Sequence, residues 1–270
     1  MKTSKLKSGK GISINFSSLV IPVALIVAII IFKFIMGNPE NFQGNDSENA
    51  ALPGNYYGII YKGGFIVPVI MTLLLTVITF VVERFIAIQK ATGKGVIPVF
   101  VGDIKDHLEH NNVKLAIESC DTQKGSVANV IKSVLYRYQA LLSQAELTRD
   151  QKVATLNKEI EDATSLELPG LEQNLVVLAT ITSLATLMGL LGTVLGMIRA
   201  FSALANAGAP DSVALAQGIS EALVNTAFGI GTAVVAMIFY NYFTTRIDKI
   251  TYSIDEAGLS IVQMFQTKQA

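Results

Sequence analysis

At 270 residues, with 51% apolar residues, 16% charged residues and no net charge, the chain departs from the composition of ordinary soluble proteins and points to lipid as its solvent. Basic and acidic residues balance at 21 each, which leaves no cationic excess for binding nucleic acid. Cys120 is the only cysteine, which excludes an internal disulfide, a thiolate metal cluster and a redox pair; it reads as a small buried hydrophobe.

In chain order, residues 1–18 form a tail carrying Lys2, Lys5, Lys7 and Lys10 and no acid, followed by an apolar run, Leu19–Met36. Basic residues before an apolar run also describe a secretory signal. Here the run is longer than a usual signal core, and no small-residue cleavage pattern follows at Met36-Gly37-Asn38-Pro39. The run is therefore read as a first transmembrane helix, with Lys33 snorkelling toward the interface. Residues 37–64 are rich in Asn, Gly, Pro and acids, with Tyr56, Tyr57 and Tyr61 suited to a membrane interface. Glu40, Asp46 and Glu48 against a single Lys62 mark this loop as the outer, periplasmic side.

Residues 65–82 form a second span, and Arg84, Lys90 and Lys94 after it mark the cytoplasmic side. Between residues 83 and 172 lie 11 basic and 13 acidic residues, with helical periodicity over 99–108, 113–120, 127–142 and 147–168. This segment is predicted to be a cytoplasmic helical domain. His107 and His110 share a face beside Glu109 but lack further metal-ligand partners, so they read as a solvated helix face. Pro169-Gly170 is expected to punctuate the entry to a third span, 173–205. A periplasmic turn, 206–211, leads to a fourth span, 212–245, and a cytoplasmic tail, 246–270, with Arg246 and Lys249. Four spans and the charge bias together predict an all-α membrane protein with both termini in the cytoplasm.

Between residues 173 and 245 only Arg199, Asp211 and Glu221 are charged. Projected at about 100° per residue, Thr182, Ala185, Thr186, Gly189, Gly192, Thr193, Gly196, Ala200 and Ala203 form one face of the third span. Leu184, Leu187, Leu191, Leu195 and Ile198 form the opposite, lipid-suited face. In the fourth span Gly218, Glu221, Asn225, Gly229, Thr232 and Ala236 share an arc of roughly 80°, while Thr226 lies about 140° from Glu221. Small faces let helix backbones approach closely, and structural packing alone would explain the glycines. It does not explain Glu221, because a carboxylate within a span costs several kcal/mol unless it is paired, hydrated or protonated. Glu221 is therefore predicted to serve ion passage or a polar network. Arg199 is a conceivable partner, but its position near the external end of its helix favours snorkelling.

The stretches Gly189-Leu-Leu-Gly-Thr-Val-Leu-Gly196, Gly218-Ile-Ser-Glu-Ala-Leu-Val-Asn-Thr-Ala-Phe-Gly229 and Tyr240-Asn241 resemble the MotA/TolQ/ExbB proton channel family, in its ExbB/TolQ branch. The resemblance covers roughly residues 65–250 and is strong only over 185–242. It implies a homopentamer whose third- and fourth-type spans surround single helices of an ExbD/TolR-type partner that carries a transmembrane aspartate. A TonB-type energy transducer belongs to the same expectation, as does an inner-membrane location. By motif position, Thr193, Glu221 and Thr226 match the family's polar pore residues. Asn225 stands where the family often has alanine, and an extra first span precedes the branch's usual three. That span count keeps a flagellar or gliding stator in view, and a non-conducting scaffold is the remaining alternative. No cofactor is implied, and no enzyme: a nucleophile–base pair, a metal set and a phosphate loop are all missing from the sequence, and Gly229-Ile-Gly231 lacks a nucleotide-binding context.

Overall fold

A computed structural model describes residues 16–144, 146–205 and 212–268. The lysines of the amino-terminal tail and the turn at Ala209-Pro210-Asp211 lie outside the described residues. Among those described, four helices are long and apolar enough to cross a membrane. The named elements are helices: α1 (Phe16–Ile30, continued as a π-helical turn over Ile31–Met36), α2 (Tyr56–Tyr61), α3 (Ile66–Thr92), α4 (Ile97–Glu109), α5 (Val113–Gln123), α6 (Gly125–Leu142), α7 (Arg149–Glu172), α8 (Leu175–Ala205) and α9 (Ser212–Lys268). Two compact units divide the chain. One holds residues up to Thr79 together with Ile181–Val234; the other holds Phe80–Thr180 and residues from Val235 onward.

In the first unit, Ala28 and Met36 of the first apolar helix pack against Val67 and Met71 of α3, with Phe32, Tyr61 and Phe228 around them. The loop of residues 37–64 is not loose chain. Asn41 Nδ2 donates to the carbonyls of Ile35 and Met36, at 2.8 and 3.0 Å, and so satisfies orphan acceptors at the end of that helix. Asn55 donates to Asn41 Oδ1 at 2.9 Å and caps α2 by accepting from the Gly58 N–H. Lys62 Nζ closes the loop by donating to the carbonyls of Ser47 and Glu48, both at 2.9 Å.

The second unit is built from the expected amphipathic helices. Each α4–α7 helix covers its predicted periodic segment except at the α7 start, where Thr148 and Gln151 form a reciprocal capping box. Ile104, Leu108, Cys120, Ile131, Leu135, Tyr138 and Leu156 are buried together with Ile254, Ile261 and Phe265 of α9. One expectation is corrected. Pro169-Gly170 does not end α7; the break comes at Asn174, which adopts φ 63, while buried Arg84 donates to the Gly170 and Leu171 carbonyls at 3.2 Å and so takes up acceptors at the helix end. The last helix continues past the expected span to Lys268, because Ile247, Ile250, Ile254, Ala257, Ile261 and Phe265 continue a buried helical stripe. Lys268 Nζ then donates to the Glu109 carbonyl at 3.1 Å and to Asn111 Oδ1, an arrangement suited to the carbonyl end of α4.

Cys120 is 2% exposed, and burial, aided by the Asp121 carboxylate, pushes its thiol up to about 12. The thiol should therefore react with a water-soluble maleimide at pH 8 only as fast as the second unit opens, and rapidly once the chain is denatured. The linkage has a definite sign. Between the ordinary thiol value near 9.0 and about 12, the unfolded chain releases a proton that the folded chain keeps, so stability falls as pH rises through that window. A Cys120→Ala variant should lose this part of the alkaline slope in a pH series of thermal melts. Equal labelling of native and denatured protein would refute the assignment.

Candidate functional site

The close contact between α8 and α9 begins with what is missing from it. Ala185, Gly189, Gly192, Gly196 and Ala200 of α8 are buried, as are Gly218, Ala222, Asn225, Gly229 and Ala233 of α9. A Cβ built on Gly196 would lie 2.8 Å from both Ala222 N and Gly218 O, and one on Gly229 would lie 2.6 Å from Ala185 O. The two backbones touch because no side chain separates them, the packing mode of small residues in lipid. The outward faces are apolar: Leu187, Leu191 and Ile198 on α8, and Leu223, Ile230 and Val234 on α9, are exposed. Leu195 departs from its expected lipid face by being half-buried.

Glu221 sits beside this contact and is 7% exposed. Its Oε1 accepts from Arg199 Nη1 at 2.5 Å. Snorkelling therefore does not describe Arg199 by itself: the side chain remains half exposed, with its guanidinium 5.8 Å over the Phe65 ring, yet its N–H is spent on the carboxylate. The helical geometry that places Arg199 toward one end of α8 also places it opposite Glu221, near the start of α9. Pairing neutralises two charges that would each be costly in hydrocarbon.

A third contributor was not singled out from the sequence. The turn Gly63-Gly64, just ahead of α3, lies against both polar side chains of α9. Asn225 Nδ2 donates to the Gly63 carbonyl at 2.8 Å. Gly64 has φ +74, and a Cβ there would lie 2.5 Å from Glu221 Oε1 and 3.4 Å from Arg199 Nη1. Residue 64 needs both the backbone freedom and the empty space of glycine. The double glycine in Lys62-Gly63-Gly64-Phe65 is the signal that a close approach was required.

Asn225 is fully buried, its amide lies beside Gly192, and its Oδ1 is the one buried side-chain oxygen among the described residues without a hydrogen-bond partner. Thr226 lies apart from Glu221, as its angle requires, with its hydroxyl donating to the Ala222 carbonyl at 3.1 Å and reaching the Gly189 carbonyl at 3.5 Å. Thr193 is not drawn into the Glu221 cluster. Its hydroxyl donates to the Leu190 carbonyl at 2.5 Å, and the residue lines an open groove with Val194, Met197, Ile198 and Phe201. Thr182 and Thr193 are half-buried and Thr186 is exposed, so these threonines edge the glycine stripe of α8 rather than filling its centre. The structure thus joins Glu221 and Asn225 through one glycine turn and leaves Thr193 and Thr226 on separate surfaces.

Four apolar helices, lipid-suited outer faces and a paired carboxylate at a glycine contact define a multi-pass helical membrane protein. Residues 127–256 match the model of the MotA/TolQ/ExbB proton channel family. Over this segment the chain is similar to that family, and the relatives place the similarity on its ExbB/TolQ side. A protein named as a homolog of the biopolymer transport protein ExbB in Methanothermobacter thermautotrophicus is 27% identical over 204 residues, 72% of this chain and 66% of that protein. An ExbB-like biopolymer transport protein of Synechocystis sp. is 41% identical over 86 residues, 31% of this chain and 41% of the relative. The Tol-Pal system protein TolQ of Haemophilus influenzae is 39% identical over 88 residues, 33% of this chain and 39% of the relative. The matched stretches thus fall short of two thirds of these relatives' own length.

Because the contacts at Gly196 and Gly229 are with backbone atoms, Gly196→Ala and Gly229→Ala should each destabilise the protein by roughly 1–3 kcal/mol. Gly231 has open space at its Cβ position, so Gly231→Ala should be neutral or stabilising by about 0.5–1 kcal/mol, through helix propensity alone. Thermal unfolding of the purified protein in one detergent checks the contrast; equal effects at all three positions would show that α8 and α9 do not touch here.

Proposed function

We propose that this protein is the proton-channel subunit of an inner-membrane motor of the ExbB/TolQ kind, which uses the proton motive force to energise outer-membrane transport or envelope maintenance. The observation that carries the reading is Glu221: a carboxylate 7% exposed, on a membrane helix, at the edge of a side-chain-free helix contact. Packing does not call for an acid at that point, and a charge kept within a span marks an ion path by default. Thr193, Thr226 and Asn225 are the further polar pathway residues in this reading, and Gly189, Gly192, Gly196, Gly218 and Gly229 hold the helices that carry them. Asn225 Oδ1 supplies a buried acceptor for a donor from water or from another helix.

The functional unit is read as a homopentamer around single helices of an ExbD/TolR-type subunit, in company with a TonB-type transducer. The exposed apolar surface of both α8 and α9 suits a lipid environment. Both termini are assigned to the cytoplasm, with residues 37–64 and 206–211 in the periplasm, on the charge bias of the loops. Moving one charge through 100 mV releases about 2.3 kcal/mol, enough to bias the position of a partner helix. The stator reading draws on one specific observation, the fourth apolar helix at the amino-terminal end. A peptidoglycan-anchoring partner and a motility defect on deletion would favour it.

In vesicles containing this chain with its single-span partner, Glu221→Gln should reduce proton flux under an imposed potential to that of protein-free vesicles, while the complex still elutes intact. Flux equal to that of the unaltered complex would reject Glu221 as the functional carboxylate.

A further inference from the structure

The ion pair at Glu221 is asymmetric. The carboxylate side chain is 9% exposed, whereas the arginine side chain that binds it is 51% exposed. Arg199 thus approaches from the rim of the site, and besides Glu221 its described contact is the face of Phe65, at 5.8 Å. An exposed ring face is a weak and replaceable partner. The buried side is rigid by comparison. Gly64 closes against the same Oε1 that receives the guanidinium, and the neighbouring Gly63 is tied to Asn225, one helical turn along α9. The guanidinium N–H occupies Oε1, the oxygen that Gly64 also closes against, so full access to that oxygen needs the pair to open. The half of the pair exposed enough to move away is the arginine.

Resting on the reading of Glu221 as the functional carboxylate, we infer that Arg199 is a releasable latch: a positioning residue that holds Glu221 against the Gly63-Gly64 turn in a closed, ion-paired state and swings to the rim to let the carboxylate accept a proton. The glycine turn is the latch plate. It leaves room for the two charges to meet and for nothing larger, which is why residue 64 has no side chain.

The test uses the full chain, purified in its assembled state and treated with dicyclohexylcarbodiimide at one neutral pH. This reagent takes the proton of a carboxylic acid onto its nitrogen while the carboxylate oxygen adds to its central carbon, so a latched Glu221 is protected. Mass spectrometry of the peptide containing residue 221 reads the adduct, with Glu221→Gln as the blank. Arg199→Gln should speed labelling several-fold, and Arg199→Lys, which keeps the cation, should return it most of the way to the original rate. Gly64→Ala keeps both charges but intrudes on the pair, and it should also speed labelling; it carries the test if Arg199→Gln does not assemble. Unchanged labelling in Arg199→Gln and Gly64→Ala would overturn the latch, as would equal rates for Arg199→Gln and Arg199→Lys. The proton-channel reading fails separately: normal flux with Glu221→Gln would sink it, whatever the labelling pattern.

Discussion

The constraint on which the first unit depends is the absence of side chains between α8 and α9. In lipid there is no hydrophobic force to press two helices together, since acyl chains solvate leucine as well as another helix does. Association has to come from close packing, and packing this close requires Gly189, Gly196, Gly218 and Gly229 to present bare backbone. That geometry also fixes what happens next to the stripe. With the helix axes drawn together, a side chain at the edge of the contact is buried whether or not it is apolar, and Glu221 and Asn225 occupy that edge.

Burial then dictates the partners. A glutamate removed from water must meet a cation or hold a proton, and an amide must find donors and acceptors on other chain segments. Two different sources meet these demands for Glu221 and for the Asn225 N–H, while Asn225 Oδ1 stays unpaired. Arg199 comes from α8, so the same helix pair that buries the acid also delivers its counter-ion. The Gly63 carbonyl comes from the loop before α3, which is itself held by Lys62, Asn41 and Asn55. A change in that loop is therefore felt at Asn225 through one hydrogen bond, without any change in the membrane helices.

Much of this was legible in the sequence, for a physical reason: lipid imposes strong rules on composition. Apolar runs near 20 residues gave the spans, helical projection separated small faces from greasy ones, and the burial of Ala185, Gly189, Gly192, Gly196 and Ala200 follows that projection residue by residue. The amphipathic segments that became α4–α7 were visible for the same reason of period. The misses share a different cause. Projection treats a helix by itself, so it could not see that Arg199, remote in sequence, stands across from Glu221, or that a loop turn reaches both. The expected span, 212–245, follows the apolar run, whereas α9 continues to Lys268 on a buried stripe of wider-spaced apolar residues. Pro169 misled because a proline is a local signal, whereas the helix end is set by Asn174 and by Arg84, which donates to the terminal carbonyls.

Thr193 and Thr226 bear on the proposed polar pathway. Both satisfy their hydroxyls on backbone carbonyls of the α8/α9 pair, and neither reaches Glu221 or Asn225 within the single chain. A hydroxyl that already donates to a carbonyl still has lone pairs to accept with, so each threonine keeps one half of a relay function. Thr193 faces an open groove, whereas Asn225 offers an unpaired Oδ1 from a buried position. These groups do not form a continuous path in one copy. A path through them needs donors brought by water or by another helix, which makes conduction on this reading a property of the assembly and leaves the single chain with only its closed, ion-paired carboxylate.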